Sequence, residues 1–256
     1  MSPARDTGAP EATEAAIWQE VEFGSYGADL PLWTELAEAA DGPVLELGAG
    51  AGRVGLHLAG EGHEVIATER EPDLAVALER SASERGLPLS VVAADLGSLA
   101  DLRLPSRPKL AIGPLHVIQM LDWAARPTLL RRLGDLMEPG STVALTVVDE
   151  SNLLRAGAAA TQILPDMREL DGWVYSSEPL WVQVGDEVLI VRRLRERVSP
   201  EGRMERTVQD EILYRVSPDR LELEAEEAGL RRADRRQISS GPNEADSTVV
   251  LLEVPA

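Results

Sequence analysis

The chain contains no cysteine. That absence excludes a disulfide scaffold, thiolate zinc sites, a cysteine nucleophile and iron–sulfur ligation. Positive charge is scarce as well: 25 Lys+Arg stand against 44 Asp+Glu, the formal net charge is −19, and Lys109 is the only lysine. Residues 1–100 hold 18 acids and 5 bases, so the deficit is concentrated there. A field of this sign repels phosphate backbones, and no nucleic-acid partner is expected. Two arginine clusters, Arg192 to Arg197 and Arg231 to Arg236, lie beside acids or within a strand pattern. They read as ion-paired faces. Long apolar runs are missing too. The longest, Leu110 to Leu121, contains Gly, Pro, His and Gln and falls short of the ~20 residues that a membrane helix needs. Met1 to Glu14 is small, polar and Pro-containing, with no apolar signal core, and reads as a mobile tail. No membrane partner, no metal and a cytoplasmic location are the expectations.

What is present is enough for a full core. The 256 residues, 44% of them hydrophobic, allow one large domain or one domain with a modest insertion. A helix is expected over Glu14 to Phe23, a flexible joint at Gly24-Ser25-Tyr26-Gly27, and a second helix from Leu30 with Pro31 in its first turn, where the missing N–H costs nothing. Strand and helix patterns then alternate. Strands are expected at Pro43 to Leu47, Glu64 to Thr68, Leu89 to Ala93, Leu110 to Ile112 and Thr142 to Val148, and helices from Val54, over Pro72 to Arg85, and across Leu115 to Leu136. This order predicts an α/β fold: a doubly wound, Rossmann-like, mostly parallel seven-stranded sheet covered on both faces. Residues 15–150 would form lid helices and this core.

After Glu150 the texture changes. Ser151 to Leu170 reads as an Ala-rich helix, and period-two runs follow at Trp173 to Val184, Glu187 to Val198 and Met204 to Val216, the last two joined by Ser199-Pro200-Glu201-Gly202. Residues 151–216 therefore read as a helix plus an antiparallel β insertion after the fifth strand, either a substrate roof or a dimer surface, because exposed antiparallel edges pair readily. Its even-numbered face interleaves Arg192, Glu196, Arg206 and Asp210 with apolar residues. Charges there must be paired or functional, and an ion-pair ladder is the favoured reading over a polar pocket wall. Residues 217–256 return to the core, with Ser217 capping a helix that Gly229 ends, and a last strand over Ser247 to Val254.

The chemistry concentrates in Val44-Leu45-Glu46-Leu47-Gly48-Ala49-Gly50-Ala51-Gly52-Arg53. Glycines between a buried strand and a helix let the backbone turn sharply and approach a ligand, with free N–H groups of the helix start aimed at it. A nucleotide phosphate would gain nothing from an acid in the strand, so Glu46 suits a ligand with a cationic end. The second strand ends in Glu69, 21 residues after Gly48, where a ribose-binding acid is expected. The third strand ends in Ala94-Asp95-Leu96, which places a further carboxylate at the same sheet edge.

On Glu46-x-Gly48-x-Gly50-x-Gly52 and these two acids, the sequence resembles the class I S-adenosylmethionine (SAM)-dependent methyltransferases of the small-molecule type, over roughly Tyr26 to Val148 and again from Ser217. The resemblance implies SAM as cofactor. Its methionine part would lie on Gly48, Ala49 and Gly50, its ribose hydroxyls on Glu69 with Arg70 beside it, and its adenine amine on Asp95 between Ala94 and Leu96. Tyr26 would close over it as a lid. It further implies an antiparallel pair of last strands and places substrate-facing residues after the fourth strand, where His116 stands as a candidate general base for a hydroxyl or amine. Gln119, Trp123, Trp173, Tyr175 and Arg192 are candidates to line the acceptor pocket, with core packing as the alternative for the aromatics. The chain departs from the family in having Pro108-Lys109-Leu110 where an Asp often starts the fourth strand. It also lacks the Asn/Asp-Pro-Pro-aromatic motif, which argues against methylation of adenine or of a glutamine amide.

The expected function is methyl transfer to an O, N or C atom of a small molecule, and a homodimer is the assembly that follows where the insertion serves as a dimer surface and not as a roof. A SAM-binding regulatory protein without catalysis is one alternative. An NAD(P)-dependent oxidoreductase is a weaker one, because Arg53 occupies the last glycine position of a Gly-x-Gly-x-x-Gly pattern counted from Gly48 and no Tyr-x-x-x-Lys pair exists.

Overall fold

The computed structural model describes residues 13–98, 102–148, 165–239 and 246–256. Two helices lead, α1 (Glu14–Phe23), capped by the Thr13 hydroxyl, and α2 (Leu30–Ala40) with Pro31 in its first turn. The core then alternates β1 (Val44–Glu46), α3 (Arg53–Gly60), β2 (Val65–Glu69), α4 (Pro72–Glu84), β3 (Leu89–Ala93), β4 (Leu110–Gly113), a 3-10 turn (Val117–Met120), α5 (Arg126–Leu136) and β5 (Thr142–Val148). The insertion supplies β6 (Asp166–Leu170), β7 (Trp173–Val184), β8 (Val188–Val198) and β9 (Met204–Tyr214). Helix α6 (Pro218–Glu227), β10 (Arg231–Ile238) and β11 (Ser247–Glu253) complete the core.

The core sheet has seven strands in the order β10-β11-β5-β4-β1-β2-β3, parallel from β5 to β3, with β11 antiparallel to β5 and β10 antiparallel to β11. The period-two pattern of the strands builds one core on each face. Leu45, Ala111, Val143, Leu145, Val250 and Leu252 turn toward α5 and α6. Their neighbours Val44, Leu110, Ile112, Ala144, Val249 and Leu251 turn toward α2 and α3. Strand order reverses between β1 and β4, and in such sheets the crevice outside the carboxyl ends at that reversal receives ligands.

The second sheet is antiparallel, in the order β6-β7-β8-β9. Its polar residues form the ladder that the pattern favoured: Arg192 stands opposite Asp210 and pairs with it at 2.5 Å, and Glu196 stands opposite and pairs with Arg206. The arginines near the C-terminus are likewise paired, Arg231 with Glu253, Arg232 with Glu226, Arg235 with Glu222 and Arg236 with Glu35.

Two expected helices are corrected. The run across Leu115 to Leu136 breaks into the 3-10 turn and α5, because Pro127 must sit in a first turn and the Asp122 carboxylate accepts from the N–H groups of Ala124 and Ala125. Of the Ala-rich helix expected over 151–170, residues 151–164 lie outside the described residues, and Asp166–Leu170 is strand β6, held by its ladder to β7. The expected tail likewise lies outside them, apart from Thr13 and Glu14, which open α1. No helix among the described residues is long and apolar enough to cross a membrane.

Candidate functional site

The glycine loop is fixed from beneath by β2. Thr68 Oγ1 donates to the Glu46 carbonyl at 3.0 Å and accepts from Gly48 N–H at 3.3 Å, while Ala49 N–H reaches the Thr68 carbonyl at 2.8 Å. Gly48 and Gly50 both have positive φ, +62° and +59°, where a side chain is strained. Space excludes one as well: a Cβ on Gly48 would come within 2.6 Å of Val117, and one on Gly50 would collide with the Gln19 amide.

Glu69 closes the loop from the other side. Its Oε2 accepts from Gly50 N–H at 2.7 Å, and its Oε1 accepts from the N–H groups of Arg70 and Glu71 at 2.8 Å each. Three backbone donors thus fix one carboxylate at the end of β2. Asp95, beyond β3, is exposed, and its Oδ1 accepts from Gly97 N–H at 2.9 Å.

A cavity of about 480 Å³ opens above this edge. Gly48, Glu69, Arg70, Ala94, Asp95 and Leu96, all expected from sequence, lie on its wall. Val117, Met120 and Leu121 supply an apolar side, Gln19, Glu22 and Phe23 come from α1, and Arg193, Arg195, Asp210, Glu211 and Ile212 come from the insertion. Of the α1 and insertion residues, sequence reasoning reached only Asp210, one of the four interleaved charges for which a pocket wall was the alternative reading. Their signal is weak, since Gln19 and Glu22 read only as polar positions of an amphipathic helix and Glu211 as one acid among many in β9.

Other expected residues stand elsewhere. Glu46 is buried and turns toward α3, where its Oε2 has no hydrogen-bond partner and fills the space that a side chain on Gly55 would need. Burial pushes its carboxyl up to about 8, against the pull of Arg53. Arg53 itself makes a two-pronged pair with buried Asp29, 2.7 Å on each arm, and donates to the Tyr26 carbonyl. The Tyr26 ring lies against this guanidinium, 5.1 Å from its centroid, and is not on the cavity wall. Ala49 packs under the loop with Ala67 and Leu78.

Of the five acceptor-pocket candidates, none lines this cavity. Trp173 and Tyr175 pack with Trp18, Tyr175 edge-on to it at 5.5 Å, and so seat α1 on the insertion. Trp123 is 69% exposed on a separate depression with Arg126 and Tyr214. Arg192 lies over Trp181 at 4.6 Å on the ladder face. Gln119 is buried, and its amide bonds both the N–H and the carbonyl of Val148 at 2.9 and 3.3 Å. It thereby extends β5 beyond the last residue of β4 and borders a second cavity of about 340 Å³.

His116 follows Leu115, whose φ of +54° is rare for a branched residue and turns the chain sharply out of β4. Its Nε2 stands 2.6 Å from Glu211 Oε1. Burial works to lower the imidazole pKa, but the facing carboxylate outweighs it and raises the pKa above the ordinary value of 6.5. Glu211 moves the other way: His116, with Arg193 and Arg195, outweighs its burial and lowers its carboxyl. The two shifts favour the imidazolium–carboxylate form of the pair more than a free histidine and a free glutamate would, with Glu211 on the cavity wall and His116 behind it. No group of three or more His, Asp or Glu among the described residues is arranged to hold a metal.

No family model and no curated protein sequence matches the chain. Solved structures match it over nearly its whole length. The CcbJ methyltransferase of Streptomyces caelestis has 20% identity and a TM-score of 0.65, covering 90% of this chain and 91% of its own. The sugar N-methyltransferase KedS8 of Streptoalloteichus sp ATCC 53650 has 12% identity and a TM-score of 0.73, covering 100% and 98%. CalS10, an amino pentose methyltransferase of Micromonospora echinaspora solved with SAM bound, has 13% identity and a TM-score of 0.67, covering 92% and 96%. The chain has the fold of these SAM-dependent methyltransferases.

Proposed function

We propose that the protein transfers a methyl group from SAM to a small-molecule acceptor. The observation that carries this reading is the convergence on one cavity of Gly48, Glu69 and Asp95 from three strand ends with Glu211 from the insertion. The donor set fits the cofactor. The bare backbone of Gly48 on the cavity wall would admit the methionine part, the anchored Glu69 carboxylate would accept from two ribose hydroxyls, and Asp95 would accept from the adenine amine, while Gly50, its space filled by the Gln19 amide, would serve by holding Glu69 through its N–H. Arg70, Ala94 and Leu96 flank the nucleoside, and Leu74, Val117 and Leu121 provide the apolar slot. Tyr26, Glu46 and Ala49 belong to the layer that shapes the loop.

SAM, when bound, supplies an electrophilic methyl on a sulfonium. The work of the protein is to align the acceptor with it and exclude water. The roof formed by α1 and the insertion does the excluding. Glu211 presents a carboxylate that holds a cationic amine and takes the proton an ammonium must lose before it attacks, and neutral His116 behind it draws that proton from Glu211 Oε1 onto Nε2. Among O, N and C acceptors we favour nitrogen, because an ammonium complements Glu211 and because KedS8 is named a sugar N-methyltransferase and CalS10 an amino pentose methyltransferase. A cytoplasmic site of action and a homodimeric assembly are part of the same proposal.

The test is calorimetric titration of the protein, stripped of endogenous ligand, with SAM, S-adenosylhomocysteine, NAD and NADP. Micromolar binding of the two adenosyl ligands alone is the expected result. Binding of a nicotinamide nucleotide instead would overturn the assignment of Asp95 and the glycine loop.

A further inference from the structure

The roof of the cavity carries more charge than the transfer of a methyl group uses. On one face of β8 and β9, Arg193 stands opposite Gln209, Arg195 opposite Thr207 and Val191 opposite Glu211. Arg193, Arg195, Gln209 and Glu211 all line the cavity. Arg193 and Glu211 are diagonal neighbours across the two strands, a spacing that long side chains span. Against the effect of burial, and together with His116, both guanidiniums help to hold the Glu211 carboxyl below its ordinary value. Positive and negative groups thus meet side by side on one wall.

Each guanidinium is committed along one edge and open at the other. Arg195 gives Nε and Nη2 to the two oxygens of Glu22 at 2.7 Å each, and Arg193 gives Nε to the Ser177 hydroxyl at 2.9 Å and Nη2 to Asp166 at 2.5 Å. Among the described residues, nothing accepts from Nη1 of either arginine. Two forks already fixed at Nε lose little freedom on taking a further partner, and their planar donors suit a carboxylate.

A lone ammonium seated at Glu211 would lie beside these two cations and be repelled by them. A carboxylate on the same molecule, one carbon from the nitrogen, turns that repulsion into attraction and meets the open donors. Given the methyl transfer proposed above, on which this inference rests, we propose that the acceptor is an α-amino acid, with its ammonium on Glu211 and its carboxylate on the Nη1 donors of Arg193 and Arg195. The ammonium passes one proton through Glu211 to His116, and the freed lone pair forms the new N–C bond as the S–C bond of the sulfonium breaks. The products are the N-methylamino acid and S-adenosylhomocysteine. Glu211 and His116 handle the proton, and the two arginines decide which amines are admitted.

The test uses the full protein with SAM and reads S-adenosylhomocysteine formation. The acceptors are the common amino acids and the α-amide of each, which keeps the amine and removes the carboxylate. At least one amino acid should turn over with a kcat/KM ~10-fold or more above that of its amide, the scale of one hydrogen bond to a charged group. Arg193→Gln should bring that ratio toward one through a rise in the KM of the amino acid, and Arg193→Lys, which keeps the charge and loses the fork, should fall between. A loss of folded protein lowers both rates alike, so the ratio reads the site alone. Amides turned over as fast as the acids, no turnover of any amino acid, or a parental ratio in Arg193→Gln would each overturn this inference, while SAM binding in the calorimetry above would leave the methyltransferase reading standing. Failure to bind SAM would overturn that reading and this one with it.

Discussion

Nε2 of His116 and Oε1 of Glu211 stand 2.6 Å apart across 95 residues of sequence, joining the loop after β4 to the edge strand of the insertion. The core supplies the imidazole and the insertion sets its charge. A base must be neutral to accept a proton, so the rate should rise with pH through the pKa of His116, which Glu211 raises above 6.5. Glu211→Gln removes that carboxylate and leaves burial, which acts in the opposite direction. The acidic limb of the kcat/KM profile should then move to lower pH. His116→Ala should lower turnover by ~100-fold or more with SAM affinity retained. An unchanged profile in Glu211→Gln would separate the pair from catalysis.

Among the described residues the Asp95 carboxylate accepts one hydrogen bond, from Gly97 N–H, and the residue is exposed at the cavity wall. Its removal should therefore cost the fold little. Asp95→Ala should weaken SAM binding by ~1–3 kcal/mol, the scale of a hydrogen bond to a charged group. Calorimetry reads this directly, and equal affinity in the two proteins would remove Asp95 from the nucleoside site.

The parallel core was legible because its signals are local. The glycines at 48, 50 and 52 follow three buried residues of β1, and the acids Glu69 and Asp95 sit at or just beyond strand ends, where spacing alone places them. The acceptor side was not legible, because its residues come from elements distant in sequence. Glu22 and Glu211 reach one wall only when α1 docks on the insertion, and nothing in their local pattern marks them. Trp173 and Tyr175 show the converse. They read as candidates for a binding pocket, yet with Trp18 they form the packing that brings α1 to the site. The helix across Leu115 to Leu136 failed because apolar spacing outvoted Pro127 and the capping side chain of Asp122.

Glu46 should make stability depend on pH. Its carboxyl rises from an ordinary value of 4.5 to about 8, chiefly because burial penalises the charged form. The folded state then binds a proton that the unfolded state has released, so this contribution is fully present below about pH 4.5 and is lost as pH rises through about 8. The slope between those limits can reach ~1.4 kcal/mol per pH unit. Glu46→Gln keeps the shape and removes the titration. Denaturant midpoints measured across that range should fall with pH in the parent and flatten in the variant. Parallel curves would place the proton elsewhere.

Glu22 is the clasp between α1 and the insertion. Its carboxylate, 4% exposed, accepts two bonds of 2.7 Å from Arg195 and one of 2.7 Å from the Ser177 hydroxyl, with Arg193 at 3.5 Å. Arg195 also lies over Trp18 at 5.2 Å, so the same guanidinium grips the helix twice. One turn before Glu22, Gln19 accepts from Ala51 N–H within the glycine loop and so ties α1 to it. Glu22→Ala would leave Arg193 and Arg195, 18% and 21% exposed, without their shared carboxylate. The cost should be about 1–3 kcal/mol, between the ranges for surface and fully buried pairs. Because Gln19 rides on the same helix, the loss should appear locally as faster hydrogen exchange in α1 and as faster release of bound SAM. Arg195→Ala should do the same, and the double variant should lose less than the two single losses together, since both remove one contact. Additive losses would mean that the two residues hold different parts of the roof.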